Sequence, residues 1–362
     1  MSGRSHAQCA SRRRRRSIRD ATPVPEVTVF ATSRRAVSTS IYTVANDRFF
    51  VGLLGLVSSA RANGHAGPIV VVDSGLTSRQ IELLGDDITR VPAPREAPSH
   101  YLKAVGPLTH PDDVMLFIDS EILCVRSLDD IVDRVRTGAV VAFEDIGRAG
   151  FSPALWNVWE NRLSLQGLTP GTYVNGGFVA APRELGTSFF EDFRRAIERV
   201  DPDETYIDAP DIDVRLPFTY ACQDVINAVL ASASFRPRLE VLPYWAAPHA
   251  PFRGVRVDGQ LTCIDNQGRR PYFLHHTLQK PWLEPLPENP YTKLLVNYIR
   301  HPVAPVVDDG MLPRFLRSGP VGGSARIARS TRGHVRARVR GKLGLRPRVV
   351  KLARKLEARR AA

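Results

Sequence analysis

The sequence lacks the features of a membrane-spanning or secreted protein. No stretch approaches the roughly eighteen consecutive apolar residues of a transmembrane helix. Polar and charged residues follow the basic run Arg12–Arg16, where a signal peptide has its apolar core, so secretion is not predicted. Only four cysteines occur, none of them in a CxxC pair, which is typical of a reducing compartment. We therefore expect a cytoplasmic protein.

Two nucleotide-binding signatures are also missing. No G-x-G-x-x-G follows the first predicted strand, Ile41–Ala45, which disfavours a Rossmann dehydrogenase. The sequence VANDRFF at the end of that strand is not the Gly-rich, basic G-G-x-G-x-R loop of a nucleotidyltransferase. An enzyme of another class and a binding protein without activity both stay open at this point.

The net charge of +13 is concentrated at the two ends of the chain. Residues 1–20 hold seven Arg and one Asp, and residues 311–362 hold sixteen basic residues and one Glu. Residues 21–310 are therefore acidic, with 27 basic and 35 acidic side chains. Because nucleic-acid-binding proteins usually carry basic side chains on their folded surface, we expect no nucleic-acid partner. Residues 348–360 fit either an amphipathic helix on an anionic membrane or a solvated, arginine-rich end.

The middle of the chain alternates short apolar runs with helix-period segments. The runs Ile41–Ala45, Ile69–Asp73 and Val114–Ile118 predict buried strands. This alternation predicts an α/β fold, with a mostly parallel, Rossmann-like central sheet flanked by helices and a less regular C-terminal half. We assign residues 1–38 to a basic leader without ordered structure, 39–300 to the folded domain and 301–362 to a basic tail rich in Pro, Gly and Arg.

Two carboxylates follow the third of these strands directly, in the sequence Asp119-Ser120-Glu121. Acidic residues at this position lie at the carboxyl edge of the sheet, where open α/β sheets bind their ligands. Both oxygens can reach one hard cation such as Mg²⁺ or Mn²⁺, and such an ion can hold a diphosphate. Taken alone, a D-x-E sequence is as easily a solvated loop end or a helix cap.

Six stretches resemble glycosyltransferase family 8 and its GT-A fold relatives, in the family's order. Between Ile41 and Asp130 they are IYTVANDRFFVGLLGLVSSARAN, IVVVDSGLTSRQIELL and YLKAVGPLTHPDDVMLFIDSEILCVRSLDDI, the last resembling the stretch with the donor-binding Lys and the DxD motif. Further on, YVNGGFVAAPR, CQDVINAVL and HHTLQKPW resemble the family's F-N-S-G-V, D-Q-x-x-L-N and H-x-x-G-x-x-K-P-W segments.

The resemblance implies a GT-A fold and a metal-dependent, retaining hexosyltransferase. Such an enzyme moves a sugar from a nucleotide sugar, here most simply a UDP-sugar, to an acceptor that we expect to be a glycan, lipid-linked or envelope molecule. The cofactor implied is Mn²⁺ or Mg²⁺. The residues implied are Asp119, Glu121 and His275 or His276 for the metal; Ala45, Asp47, Lys103, Ser120, Gly176 and Lys280 for the donor; and Asn175, Gln223 and Asp224 for catalysis.

The chain departs from the family at three positions. Glu121 replaces the usual Asp of the motif and still offers metal-binding oxygens. Cys222 stands where the family has the Asp that contacts the transferred sugar, and we expect the nearby Asp224 to supply part of that role. The H-to-K spacing is one residue short and lacks the Gly, which leaves His275 and His276 as alternatives for the metal. The Cys222 departure also favours the second interpretation, a catalytically silent binder of nucleotide sugars or polyanions on the same fold.

Overall fold

The computed structural model describes residues 37–94, 99–146, 151–205, 216–277, 280–284, 288–317, 319–320, 322–326 and 328. Eleven strands and eight α-helices lie within these ranges, joined by short 3₁₀ turns. The strands are β1 (Thr39–Ala45), β2 (Ile69–Asp73), β3 (Thr89–Pro92), β4 (Val114–Ile118), β5 (Ile122–Cys124), β6 (Val140–Phe143), β7 (Phe178–Pro182), β8 (Leu239–Leu242), β9 (Arg256–Val257), β10 (Cys263–Ile264) and β11 (Phe273–His275). The helices are α1 (Phe50–Ala62), α2 (Ser78–Leu84), α3 (Val105–Thr109), α4 (Asp129–Arg136), α5 (Leu155–Leu163), α6 (Arg183–Ile197), α7 (Cys222–Ala231) and α8 (Pro290–Tyr298).

Seven strands form the central sheet, in the order β3-β2-β1-β4-β7-β6-β8. The pairs β1–β2, β1–β4, β2–β3 and β6–β8 are parallel, whereas β7 runs antiparallel to both of its neighbours. Since β7 reverses direction between them, β4 and β6 run the same way. The carboxyl ends of β4 and β6 and the amino end of β7 therefore lie at one edge of the sheet. The predicted α/β fold with a mostly parallel sheet is confirmed.

Alternate residues of the strands belong to two different hydrophobic cores, one on each face of the sheet. On one face Ile41 and Leu116 pack with α1, α4 and α8. On the other face Tyr42 and Phe117 pack with α5, α6 and α7. Because both faces are covered, β2 and β4 are buried at every position, and all of their residues except Asp73 are apolar.

The packed domain extends past the boundary expected at residue 300. Leu312, Phe315 and Leu316 are buried in the same core as α1 and α8. The Arg300 guanidinium donates to the carbonyl oxygen of Leu316 at 2.6 Å, which fixes this segment to the end of α8. The expected leader lies almost wholly outside the described residues, as does the segment 348–360 for which an amphipathic helix was considered. Within the described residues, no helix is both long enough and apolar enough to cross a membrane.

Candidate active site

Three loops meet at the carboxyl edge of the sheet. Asp119 follows β4, Asp145 lies two residues beyond β6, and Asn175 to Gly177 precede β7. The register pairs Ile118 with Phe178, and the Asp119 amide donates to the Gly177 carbonyl at 2.8 Å, so the loops of β4 and β7 are in direct contact. The topology therefore brings together polar side chains that lie far apart in sequence.

A lysine holds each carboxylate of the Asp119-Ser120-Glu121 turn. Lys103 Nζ lies 2.7 Å from Asp119 Oδ1, and it also donates to the Gly176 carbonyl at 2.9 Å. Lys280 Nζ lies 2.7 Å from Glu121 Oε1 and donates to the His276 carbonyl, also at 2.7 Å. The two lysine side chains are only 11% and 10% exposed, so these ion pairs are far less screened than pairs on a protein surface.

The third member of this cluster is His275, which a separate small sheet brings into place. Strand β11 pairs antiparallel with β5 and sets His275 opposite Ile122, next to Glu121. One oxygen each from Asp119 and Glu121 and one ring nitrogen of His275 lie within 4.8 Å of one another. His275 Nε2 is buried, lies 3.9 Å from Glu121 Oε1, and has no hydrogen-bond partner among the described residues.

The ion pairs oppose the effect of burial on the pKa values of Glu121 and Lys103. Burial alone would raise the pKa of Glu121, but the charge of Lys280 outweighs it and holds that pKa far below its usual range. For Lys103 burial alone would lower the pKa, and the charge of Asp119 turns the shift upward. Glu121 is therefore held as a carboxylate and Lys103 as an ammonium group.

The amide side chains of Asn175 and Gln223 lie beside this cluster. Asn175 Oδ1 accepts from the Gly177 amide at 2.9 Å and lies 3.0 Å from His275 Nδ1. Gln223, in the first turn of α7, accepts from the Gly176 amide at 2.9 Å. Only glycine fits at the two loop positions, since a Cβ on Gly177 would lie 2.4 Å from His275 Cε1 and one on Gly176 would lie 2.8 Å from Gln223 Cβ.

Asp145 and His249 were not predicted from the sequence, and they are hydrogen-bonded to the amide side chains beside the cluster or to each other. Asp145 Oδ2 accepts from Asn175 Nδ2 at 3.0 Å and from Gln223 Nε2 at 3.2 Å. Asp145 Oδ1 lies 3.2 Å from His249 Nε2. Asp145 could have been found by the rule that singled out Asp119, because it also follows a buried strand. His249 lies in a loop whose sequence carries no comparable signal.

The remaining predicted donor residues lie around the same edge. Ala45 is buried at the end of β1, where its carbonyl accepts from the backbone amide of Ser74 at 2.9 Å. Asp47 is exposed in the 3₁₀ turn that follows. Ser120 is buried, and a Cβ on Gly52 of α1 would lie 2.8 Å from its carbonyl oxygen, so the motif turn packs closely on that helix.

Two predicted residues lie away from the cluster. His276 is not among the side chains that converge with Asp119 and Glu121; it packs against Phe252 and Tyr291, with ring centroids 5.6 and 5.1 Å away. Of the two alternatives, the structure therefore brings only His275 to the carboxylates. Asp224, in the first turn of α7, is fully buried and accepts from the Tyr173 hydroxyl at 2.7 Å and the Tyr220 amide at 2.8 Å.

Cys222 lies at the start of α7, near the charges of Lys103 and Asp119. Burial raises the pKa of the Cys222 thiol, and the charge of Lys103 opposes that rise only in part. The preceding residue, Ala221, has a φ of +42°, a conformation that side chains other than glycine rarely adopt. The first position of α7 therefore carries a neutral thiol.

Three solved structures with a similar fold are glycosyltransferases. The apo structure of the bifunctional glycosyltransferase WbbM matches at 14% identity and a TM-score of 0.49. The match covers 74% of this chain and 50% of WbbM. The galactosyltransferase LgtC in complex with donor and acceptor sugar analogues matches at 15% identity and a TM-score of 0.49, over 76% of this chain and all of LgtC. An active-site mutant of LgtC matches at 15% identity and a TM-score of 0.48, with the same coverage. No protein-family model and no curated protein matches the sequence.

The residues of the cluster fit a divalent cation. Carboxylate oxygens suit Mg²⁺ and Mn²⁺, and the imidazole nitrogen favours Mn²⁺, the softer of the two ions. His275 Nε2 is a buried nitrogen that faces Glu121 and has no hydrogen-bond partner among the described residues. A buried polar atom of this kind is costly unless a partner binds it. The hydrogen bonds of the two lysines go to Asp119, Glu121 and backbone carbonyls, and none goes to the imidazole.

Proposed function

We propose that the chain is a metal-dependent glycosyltransferase that takes its sugar from a nucleotide sugar, with UDP as the nucleotide. The observation that carries this proposal is the convergence of Asp119, Glu121 and His275 at the carboxyl edge of the sheet. The family-8 resemblance of the sequence supports the same chemistry. The retaining outcome and the hexose class of the transferred sugar follow from that resemblance and are part of the proposal.

The charges of the cluster suit a diphosphate. The carboxylates of Asp119 and Glu121 and the ammonium groups of Lys103 and Lys280 cancel one another. A divalent cation bound by Asp119, Glu121 and His275 then gives the site a net charge of about +2, which matches the diphosphate of a nucleotide sugar. The bound cation would neutralise the negative charge that develops on the leaving diphosphate.

The chain's own residues supply binding and orientation. Lys103 and Lys280 place positive charge next to the motif carboxylates, where they can also attract phosphate oxygens. Gln223, whose side-chain oxygen is held by the Gly176 amide, lies on the side of the site that we assign to the sugar ring. Trp282 Nε1 donates to the Arg48 carbonyl at 2.8 Å, which fixes the segment with Lys280 over the turn that follows β1.

A donor panel tests this function. The full-length protein is incubated with Mn²⁺ and individual nucleotide sugars, thermal stability is measured, and slow donor hydrolysis is followed by mass spectrometry. We expect one donor class to stabilise the protein and to be hydrolysed only when Mn²⁺ is present. Stabilisation without hydrolysis or transfer would support the silent binder that the Cys222 replacement suggests. No response to any nucleotide sugar would overturn both proposals.

The location and the acceptor form a further part of the proposal. We propose a cytoplasmic enzyme whose basic C-terminal end attracts it to an anionic membrane face, with a lipid-linked or envelope glycan as the acceptor. Co-sedimentation with anionic vesicles, with and without residues 331–362, tests it. This deletion keeps the buried residues Leu312, Phe315 and Leu316, so a loss of binding would report on the basic end rather than on the core. Equal binding by both proteins would contradict the proposal.

A further inference from the structure

Asp145, Asn175 and His275 form a chain of hydrogen bonds in which the donor and the acceptor of each bond can be assigned. Asp145 Oδ2 accepts from Asn175 Nδ2 at 3.0 Å, and Asn175 Oδ1 lies 3.0 Å from His275 Nδ1. His275 Nε2, on the opposite side of the ring, is the atom that faces Glu121. The chain therefore links a carboxylate outside the ligand cluster to the ring of a proposed metal ligand.

Two independent contacts fix the orientation of the Asn175 amide. A backbone N–H can only donate, so the atom 2.9 Å from the Gly177 amide must be the side-chain oxygen of Asn175. An ionised carboxylate can only accept, so the atom that faces Asp145 must be the side-chain nitrogen. Both requirements give the same orientation, which removes the usual ambiguity of an asparagine amide.

Contacts with His249 and Asn175 keep the Asp145 carboxyl group ionised, so that it accepts hydrogen bonds. Burial alone would raise the pKa of Asp145, but the hydrogen bond and charge of His249, together with the bond from Asn175, lower it. His249 lies in a loop fixed to β11, because the Ala250 amide donates to the His275 carbonyl at 3.0 Å. His249 therefore anchors the carboxylate from a loop that is hydrogen-bonded to the strand carrying His275.

With Asn175 Oδ1 facing the ring, His275 Nδ1 must carry a proton. A neutral imidazole has one N–H and one lone pair, so the lone pair then lies on Nε2, beside Asp119 and Glu121. We propose that Asp145 is a positioning residue that fixes, through Asn175, the metal-binding tautomer of His275. The inference rests on the proposed metal site and goes beyond the proposed transfer reaction, because it assigns a role to a residue outside the ligand set.

Two readouts that need no enzymatic activity test this role. The first is Mn²⁺ affinity, measured by electron paramagnetic resonance of the free ion, for wild type, Asp145→Leu and Asp145→Asn. Outer-shell partners of a ligating histidine typically contribute about 10–100-fold in metal affinity, so we expect a loss of that size in Asp145→Leu. Asp145→Asn should lie between it and wild type, because the amide keeps an oxygen that can accept from Asn175. The matched control is Asp113→Asn at the opposite end of β4, which should bind Mn²⁺ like wild type.

The second readout observes the tautomer itself in the metal-free protein. Nitrogen-15 NMR of the imidazole rings, recorded at a pH where the His275 ring is neutral and with its signal assigned from a His275→Gln variant, should show a protonated Nδ1 and an unprotonated Nε2 in wild type. Asp145→Leu should shift this signal towards a mixture of tautomers, and a cooperative melting transition shows that the variant is folded.

The outcomes separate this inference from the proposed function. A protonated Nε2 in wild type, or unchanged Mn²⁺ affinity in Asp145→Leu, overturns the role of Asp145 even if the protein transfers sugar. If Asp145→Leu does not fold, His249→Leu removes the anchor of the same carboxylate and should give a smaller loss of Mn²⁺ affinity, and no loss at all would count against the role. A wild-type protein that uses nucleotide sugars but binds no Mn²⁺ overturns the inference and leaves a metal-independent transferase.

Discussion

Both ends of strand β4 carry a pair of acidic residues, and the two pairs differ in what surrounds them. At the amino edge of the sheet Asp112 accepts from Ser40 at 2.7 Å, and Asp113 pairs with Arg183 at 3.1 Å. These contacts tie β1 and α6 to β4. At the carboxyl edge Asp119 and Glu121 meet two lysines and an imidazole nitrogen that has no partner among the described residues.

The difference shows why acidic residues at a strand end are a weak signal of function. At the amino edge hydroxyl groups and an arginine satisfy the acids, and the result is structural. At the carboxyl edge segments from β4, β7 and β11 converge, and the cluster keeps one buried nitrogen unsatisfied. An unsatisfied ligand atom beside two carboxylates, rather than the acidic pair itself, points to a metal site.

The largest expected effect is the loss of donor hydrolysis when Asp119 is replaced. Asp119→Asn removes a charged ligand and leaves Lys103 without its partner, so we expect loss of Mn²⁺-dependent donor hydrolysis by more than the roughly 100-fold seen for outer-shell residues. Mass spectrometry of the donor measures this loss. Asp113→Asn, at the other end of the same strand, is the matched control and should keep full hydrolysis. Equal losses in both variants would remove the distinction between the two edges.

The second effect concerns stability at the carboxyl edge. Lys280→Met leaves the Glu121 carboxylate buried without its cation, so we expect a loss of about 3 kcal/mol in the free energy of unfolding without metal. Mn²⁺ should restore part of the lost free energy of unfolding, because the ion replaces the missing positive charge beside Glu121. Urea unfolding with and without Mn²⁺ measures both quantities. The control Lys293→Met loses only a bond to the Val257 carbonyl and should cost about 1 kcal/mol, with no Mn²⁺ dependence.

A smaller effect is expected at Cys222. Cys222→Asp adds a carboxylate beside Lys103, so we expect the ratio of rates between competing donor sugars to change by roughly tenfold. Binding of UDP alone should change little, because the replacement lies on the sugar side. Competition between two donors, read by mass spectrometry, gives the ratio. Cys222→Ser, which stays neutral, should keep the wild-type preference, and an equal change in both variants would show that charge is not the cause.

The smallest effect on the metal site is expected from a change at the amino edge. Asp112→Ala removes the acceptor of the Ser40 hydroxyl and should lower the free energy of unfolding by about 1–3 kcal/mol, since buried donors lose their partner. Mn²⁺ affinity should stay at the wild-type value. Urea unfolding and a Mn²⁺ titration on the same sample test the two statements together. A weakened Mn²⁺ site in this variant would mean that the edges are coupled.

Local patterns predicted much of the fold. The strands at Ile69–Asp73 and Val114–Ile118 have the predicted bounds. Both segments are nearly continuous apolar runs, so their sequence alone indicates their structure. Strands β5 and β8 were not predicted. They are only three and four residues long, and their partners lie more than ninety residues away along the chain.

In the site too, contacts between segments that are distant in sequence could not be predicted. The motif predicted Asp119 and Glu121, but the choice between His275 and His276 depended on the register of β11 against β5. His275 is the last residue of β11 and His276 follows it; because side chains alternate along extended backbone, only one of the two faces the carboxylates. The Asp145–His249 contact joins loops that are 104 residues apart, and no local pattern encodes it.

Direct titration of Mn²⁺ into the metal-free, full-length protein tests the central claim, that Asp119, Glu121 and His275 form a divalent metal site. Isothermal titration calorimetry should show one Mn²⁺ per chain, bound more tightly when UDP is present, and no binding in a His275→Ala variant that keeps the wild-type melting temperature. Unchanged Mn²⁺ binding in His275→Ala, or no binding in the wild-type protein with UDP, would contradict the assignment.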